Sequence, residues 1–209
     1  MSFHRATLIA LLLCCSTCFA ESPSDFVVDC SKNSRINRTT RAVDLIKMFG
    51  GSNTINGQIR LANGQTAAGT IIFPGVPKKR IDVIWGDHSK ARPTVVRIFA
   101  QDTVWKTTGE IGIGATLKQL QTANAKPFIL SGFSGDSAGV VTSWQNGKLD
   151  GGEPGCKIGA SFSYLDSTDA KLKRSLAQIQ TSRKFLSSTP AMQAANPRVS
   201  QIWISFWNP

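Results

Sequence analysis

Histidine, tyrosine and acidic side chains are scarce in this chain. Its 209 residues include two histidines, one tyrosine and 13 aspartates and glutamates. His4 stands at the very start, so His88 is alone in the body of the chain. A serine triad needs a histidine to take the serine proton. Gly135-Asp136-Ser137-Ala138-Gly139 mimics a serine-protease segment, but Gly86-Asp87-His88-Ser89 lacks the matching histidine context. The segment also lacks Gly-x-Ser-x-Gly, which excludes a nucleophile elbow. One histidine and two distant cysteines make no typical zinc set. Asp82, Asp87, Asp136, Asp150 and Glu153 hold calcium only if the fold gathers them, and no EF-hand spacing occurs. Gly109, Gly112 and Gly114 come in the wrong order for a dinucleotide loop. No catalytic residue, metal or cofactor is therefore expected. A carbohydrate-active hydrolase needs two carboxylates across a cleft. It stays as an alternative, because no local motif selects or removes such a pair.

Long apolar runs are missing too. The longest, Leu8 to Cys15, is too short for a membrane-spanning helix, which needs roughly 20 apolar residues. It follows His4 and Arg5 and precedes Cys18-Phe19-Ala20, with small residues at the −3 and −1 positions before Glu21. That is the layout of a cleavable secretory signal over residues 1–20. A periplasmic or secreted product starting near Glu21, with no integral membrane span, is expected. A lipid anchor on Cys18 is disfavoured, because Cys15 stands where a lipobox wants an aliphatic residue. Three of the five cysteines fall in this leader. Cys30 and Cys156 remain, and in an oxidising compartment they most simply form one disulfide.

Charge is unbalanced. There are 24 lysines and arginines, a formal net charge of +11, one less without Arg5. Such a balance draws anionic partners such as lipopolysaccharide or another wall polymer. The cations are spread out, with short clusters only at Lys78–Arg80 and Lys171–Arg174. A soluble surface with a basic bias reads equally well from that pattern, and nucleic acid is not expected as a partner.

Thr39 or Thr40 reads as an N-cap before an apolar stripe of Val43, Ile46 and Phe49, which Gly50-Gly51 ends. Ile55–Leu61 and Thr66–Phe73 flank an Asn63-Gly64 hairpin signal. Ile81–Trp85 and Thr94–Ala100 read as strands, and Val104-Trp105 as the end of another. Thr116 caps a second short helix carrying Leu117 and Leu120. Val140–Trp144 and Lys157–Tyr164 read as strands. Asp169–Leu186 reads as an amphipathic helix with Leu172, Leu176, Ile179 and Leu186 on one face. Thr189-Pro190 opens a helical turn, and Val199–Trp207 is the closing strand. The expected fold is α+β: one domain over 21–209, made of two similar helix-plus-antiparallel-strand units. They run over about 30–106 and about 107–209, with an extra C-terminal helix and the closing strand. Each unit has a strand ending in tryptophan, at Trp85 and Trp144, which suggests an old duplication.

Ile113-Gly114-Ala115-Thr116-Leu117-Lys118-Gln119-Leu120, followed by Asn124-Ala125-Lys126-Pro127, resembles a segment of small envelope domains. These include β-lactamase inhibitory proteins and small lipoproteins of the outer-membrane assembly machine. Ala125 stands where their pattern has glycine. Pro127-Phe128, Gly132-Phe133, Gly139-Val140 and Trp144 through Gly147-Lys148-Leu149 resemble the core of a group of uncharacterised secreted bacterial proteins, over roughly 35–207. The resemblance implies a non-enzymatic binding or scaffolding role toward an envelope protein or other envelope component. An anionic envelope polymer is the alternative partner.

Five tryptophans against one tyrosine is unusual. Trp85 and Trp144 suit core positions at strand ends. Alternatively, some of Trp85, Trp105, Trp144 and Trp207 line an aromatic face that Phe128 and Phe133 join, since such residues anchor interfaces.

Overall fold

The computed structural model describes residues 26–207 apart from 32, 62–63, 88, 152–153 and 165–167. The leader at 1–20, His88, Glu153 and Asn63 of the hairpin signal lie outside the described residues.

In chain order, α1 (Ala42–Phe49) is followed by β1 (Thr54–Arg60), β2 (Thr66–Ile72), β3 (Ile81–Trp85) and β4 (Pro93–Ile98). The second half contains α2 (Leu117–Asn124), β5 (Ile129–Ser131), β6 (Val141–Ser143) and β7 (Cys156–Ser163). It ends with α3 (Ala170–Ile179), β8 (Lys184–Leu186), α4 (Pro190–Ala195) and β9 (Arg198–Phe206). The strands form two antiparallel sheets, β1-β2-β3-β4-β9-β7 and β6-β5-β8. The fold is therefore α+β, as expected. Both units lay a short helix beside antiparallel strands, and they share the larger sheet. β9 inserts between β4 of the first half and β7 of the second.

α1 begins later than the threonines suggest. Arg41 is its N-cap. Asp44 Oδ2 accepts from the Arg41 backbone N–H at 3.0 Å and from its guanidinium Nε–H at 3.0 Å. The bond from the Arg41 side chain is the main reason the Asp44 carboxyl is lowered to about 2. Thr40 is buried and its Oγ1 accepts from the Asn37 N–H, so it closes a turn instead.

α2 follows the sequence reading closely. Thr116 Oγ1 accepts from the Gln119 N–H at 3.2 Å, and Gln119 Oε1 accepts from the Thr116 N–H at 2.8 Å. This reciprocal pair satisfies two helix-end donors. Ala125 ends the helix at φ 58°, ψ 7°, the left-handed conformation that glycine adopts without cost. An L-residue pays roughly 1–2 kcal/mol there. Part of that is offset by alanine's smaller backbone entropy in the unfolded chain. Ala125→Gly is accordingly expected to stabilise the protein by about 0.5–1 kcal/mol, read as a rise in Tm of about 2–3 °C. A fall in Tm would contradict this account.

α3 stops at Ile179 instead of running to Leu186. The N–H of Phe133 takes the Ile179 carbonyl at 2.8 Å, and Lys184–Leu186 pair with β5 as β8. Leu186 is 40% exposed and does not continue the apolar stripe. Val104-Trp105 ends no strand; the next residue, Lys106, forms an isolated parallel bridge with Val27.

All four helices bury their apolar residues against one face of the larger sheet: Leu45 and Phe49, Leu117 and Leu120, Leu176 and Ile179, and Met192. That face contributes Ile72, Val83, Val96, Ile98, Ile204 and Phe162. The disulfide Cys30–Cys156 forms, with Cα atoms 5.6 Å apart. It ties the segment before α1 to the first residue of β7. No helix among the described residues is long and apolar enough to cross a membrane.

Candidate functional site

The aromatic candidates separate into core and surface. Trp105 is fully buried and its Nε1–H donates to the Lys79 carbonyl at 2.6 Å. Its ring meets Phe26 and Phe49 edge-on, at 5.3 and 6.0 Å. Trp144 is 1% exposed and donates to the Ile158 carbonyl at 2.6 Å, while Phe128, fully buried, packs on Trp144 and Phe162. Trp85 is 5% exposed and donates to Thr70 Oγ1 at 3.0 Å. The aromatic-face reading is therefore corrected for Trp85, Trp105, Phe128 and Trp144. Each is in the core, and each indole has spent its donor inside the chain. Trp85 ends the third strand after α1, whereas Trp144 follows the second strand after α2, so the two do not occupy equivalent strands. Phe133 is half-buried against Tyr164, with ring centroids 5.1 Å apart. Of the six candidates, Trp207 alone is well exposed, at 48%.

Two surfaces have the means to bind. The first is the sheet face opposite the helices. Strand register puts Ile55, Ile71, Asp82, Arg97, Trp203 and Gly159 in one row across all six strands. The adjacent row contains Ile84 and Val95. Ile71, Val95 and Trp203 are half-buried, and Ile55 is exposed. A Cβ on Gly159 would lie 2.1 Å from the Trp203 ring, so glycine lets that indole lie down across β7. Ile59 folds over Gly69 in the same way.

Asp82 sits in the middle of this face and is fully buried. Its carboxylate takes Arg97 Nη2 at 2.7 Å and Arg80 Nε at 3.2 Å. Arg97 Nη1 also donates to the Arg60 carbonyl at 3.1 Å. Arg60 ends β1, three strands from β4, or about 14 Å in a flat sheet. An arginine does not span that distance, so the β1–β2 hairpin arches over the face. Phe99, following β4, takes the Arg97 and Arg80 guanidiniums at 5.1 and 5.4 Å from its ring centroid. The result is an apolar strip under an arch, edged by cations.

The second surface is a pair of hollows at the end of β9, of about 300 and 570 Å³, which share Arg38, Thr39 and Phe206 as walls. The smaller backs onto the disulfide and includes Asp29 and Ser31. The larger includes Trp207, Arg92, Asp87 and Thr94. Trp207 is held one residue beyond β9 by its backbone N–H to the Gly155 carbonyl, at 3.0 Å. Arg38 Nη1 donates to the Pro154 carbonyl at 3.4 Å. Ser89 Oγ donates to Asp87 Oδ1 at 2.6 Å. That bond, with backbone N–H groups of the same loop, holds the Asp87 carboxyl below its ordinary range. Asp87 is thus a fixed anion. The hydrolase reading needs an acid shifted the other way.

Asp136 and Ser137 are exposed in the glycine loop between β5 and β6. No cluster of three potential metal ligands occurs among the described residues. The larger hollow was invisible in the sequence, since its walls come from three separated segments; the one signal was Trp207 near the terminus. The chain matches no family model, no curated protein and no solved structure.

Proposed function

We propose that this protein is an exported, non-enzymatic binding protein of the bacterial envelope. Its partner is a protein with an acidic, partly apolar surface, and it docks on the sheet face opposite the helices. The observation that carries the reading is the row from Ile55 to Trp203, apolar at both ends and charged only at a neutralised centre. Arg80, Arg60 and Lys157 edge the patch, and a cationic rim speeds encounter with an acidic partner. The layout of residues 1–20 and the Cys30–Cys156 bond are compatible with export. The likeness of residues 113–127 to small envelope binding domains points the same way, as analogy.

A second reading, binding of an anionic envelope polymer, is favoured by α3 and its exit. Lys171, Lys173, Arg174, Arg183 and Lys184 are all exposed there.

Affinity capture from the source organism's envelope fraction distinguishes the two, at about 50 and about 500 mM salt, a range over which charge-driven binding collapses. Docking on the sheet face predicts one discrete acidic protein retained at both salts and lost with Ile55→Asp. Retention only at low salt, insensitive to Ile55→Asp and abolished by Lys171→Ala/Arg174→Ala, would leave the polymer reading in its place.

A further inference from the structure

We propose that the double hollow at the end of β9 is a binding site for an acidic saccharide, separate from the sheet face. Three features carry this. The first is an aromatic platform. Trp207 is about half exposed on the wall of the larger hollow, while Trp85, Trp105 and Trp144 are buried. An indole face that stays in contact with water covers the apolar side of a sugar ring while its polar edge stays wet.

The second is the set of planar polar groups around the platform. Asp87 is pinned as a carboxylate by Ser89 and backbone N–H groups, so it offers fixed acceptors to ring hydroxyls. The guanidiniums of Arg38 and Arg92 line the same hollow and offer forked donors. Thr94 Oγ1 donates to the Ile84 carbonyl at 3.3 Å, and Thr39 Oγ1 to Asn37 Oδ1 at 2.7 Å. Both hydroxyls therefore turn their acceptor side outward. Two cationic groups against one anion leave a donor excess that neutral hydroxyls do not match. A carboxylate or phosphate on the sugar does match it, by bidentate contact.

The third is size and rigidity. Hollows of this volume fall in the range of small-molecule sites, about 300–1,000 Å³. Their shared wall is fastened to structure that does not move easily. Phe206 belongs to the core, Cys156 to the disulfide, and Trp207 is tethered to Gly155. A ligand entering here pays little to order the site.

Calorimetric titration of the full mature, oxidised protein tests this. The probes are tetragalacturonate for a carboxylated sugar, glucose 6-phosphate for a phosphorylated one, and maltotetraose as the neutral control. One or both acidic probes are expected to bind at least tenfold more tightly than maltotetraose. Trp207→Ala and Arg38→Ala should each weaken that binding at least tenfold. Ile55→Asp, on the sheet face, and Lys171→Ala/Arg174→Ala, on α3, should leave it unchanged. Trp207 and Arg38 lie on the surface, so both variants should melt as the parent does. The proposal fails if neither acidic probe binds, if maltotetraose binds equally, or if the α3 variant loses as much as Arg38→Ala. It also fails if Trp207→Ala binds normally. None of these outcomes depends on whether a protein docks on the sheet.

Discussion

The variant Cys30→Ser/Cys156→Ser is expected to lose about 4–5 kcal/mol of folding stability, which lowers Tm by about 10 °C or more. The bridged residues are 126 apart in sequence. Cross-linking so distant a pair removes a large loop-closure entropy from the unfolded chain, and the loss rises only slowly with length. The native contacts argue the same way. Cys30 and Cys156 are both buried in the main core, and the bond carries the segment before α1 onto β7. That segment otherwise touches the sheeted part through few backbone bonds, chiefly Val28 and Phe26 with Lys106. Urea unfolding of the oxidised parent and the double serine variant measures the difference. A loss below about 1 kcal/mol would mean that the unfolded chain is already compact around this pair, and would overturn the entropic account.

Asp82→Ala should cost nearly as much, about 3–5 kcal/mol. The carboxylate is fully buried and is the counter-ion of two arginines. Arg80 is about one-third exposed and can turn to water once the carboxylate is gone. Arg97 cannot do so as easily. Its side chain is 17% exposed, its Nε is buried without a hydrogen bond, and its Nη1 is committed to the Arg60 carbonyl. The variant therefore strands a desolvated guanidinium. The double variant Asp82→Leu/Arg97→Met removes both charges and fills the space with apolar atoms. It should recover much of the loss, because well-packed apolar groups often replace a buried ion pair at little cost. The comparison has a firm requirement: if the double variant is no more stable than Asp82→Ala, the penalty is not an unpaired charge. Arg97 also holds the arch of the β1–β2 hairpin, so loosening it should weaken partner capture at the sheet face along with stability.

Much of the local structure was legible in the sequence. The Thr116–Gln119 box, the β1–β2 hairpin, the strand ending at Trp85 and the turn of α4 at Pro190 all follow from caps, alternation and turn residues. The Cys30–Cys156 bond followed from counting two cysteines outside the leader. Misreadings occurred where a partner distant in sequence competed for the same backbone. Lys184–Leu186 continues a helical stripe in the sequence, yet β5 claims it as a strand. β5 itself is three residues long, too short to show a period. Among the aromatics, composition marked six candidates but could not sort them, since an indole looks alike at a core position and on a surface.

The sequence by itself determined the α+β class, the two short helices with their strands, the cysteine pairing and the basic surface. These rest on period, end signals and counts, which act within a few residues or over the whole composition. Only the tertiary structure decided that β9 enters between β4 and β7. That one pairing aligns Ile55, Asp82, Arg97 and Trp203 in a row, buries Asp82, and brings Trp207 beside Arg38 and Arg92. The free energy of those contacts depends on which distant segments meet, and strand pairing across a long loop leaves no mark in the local pattern.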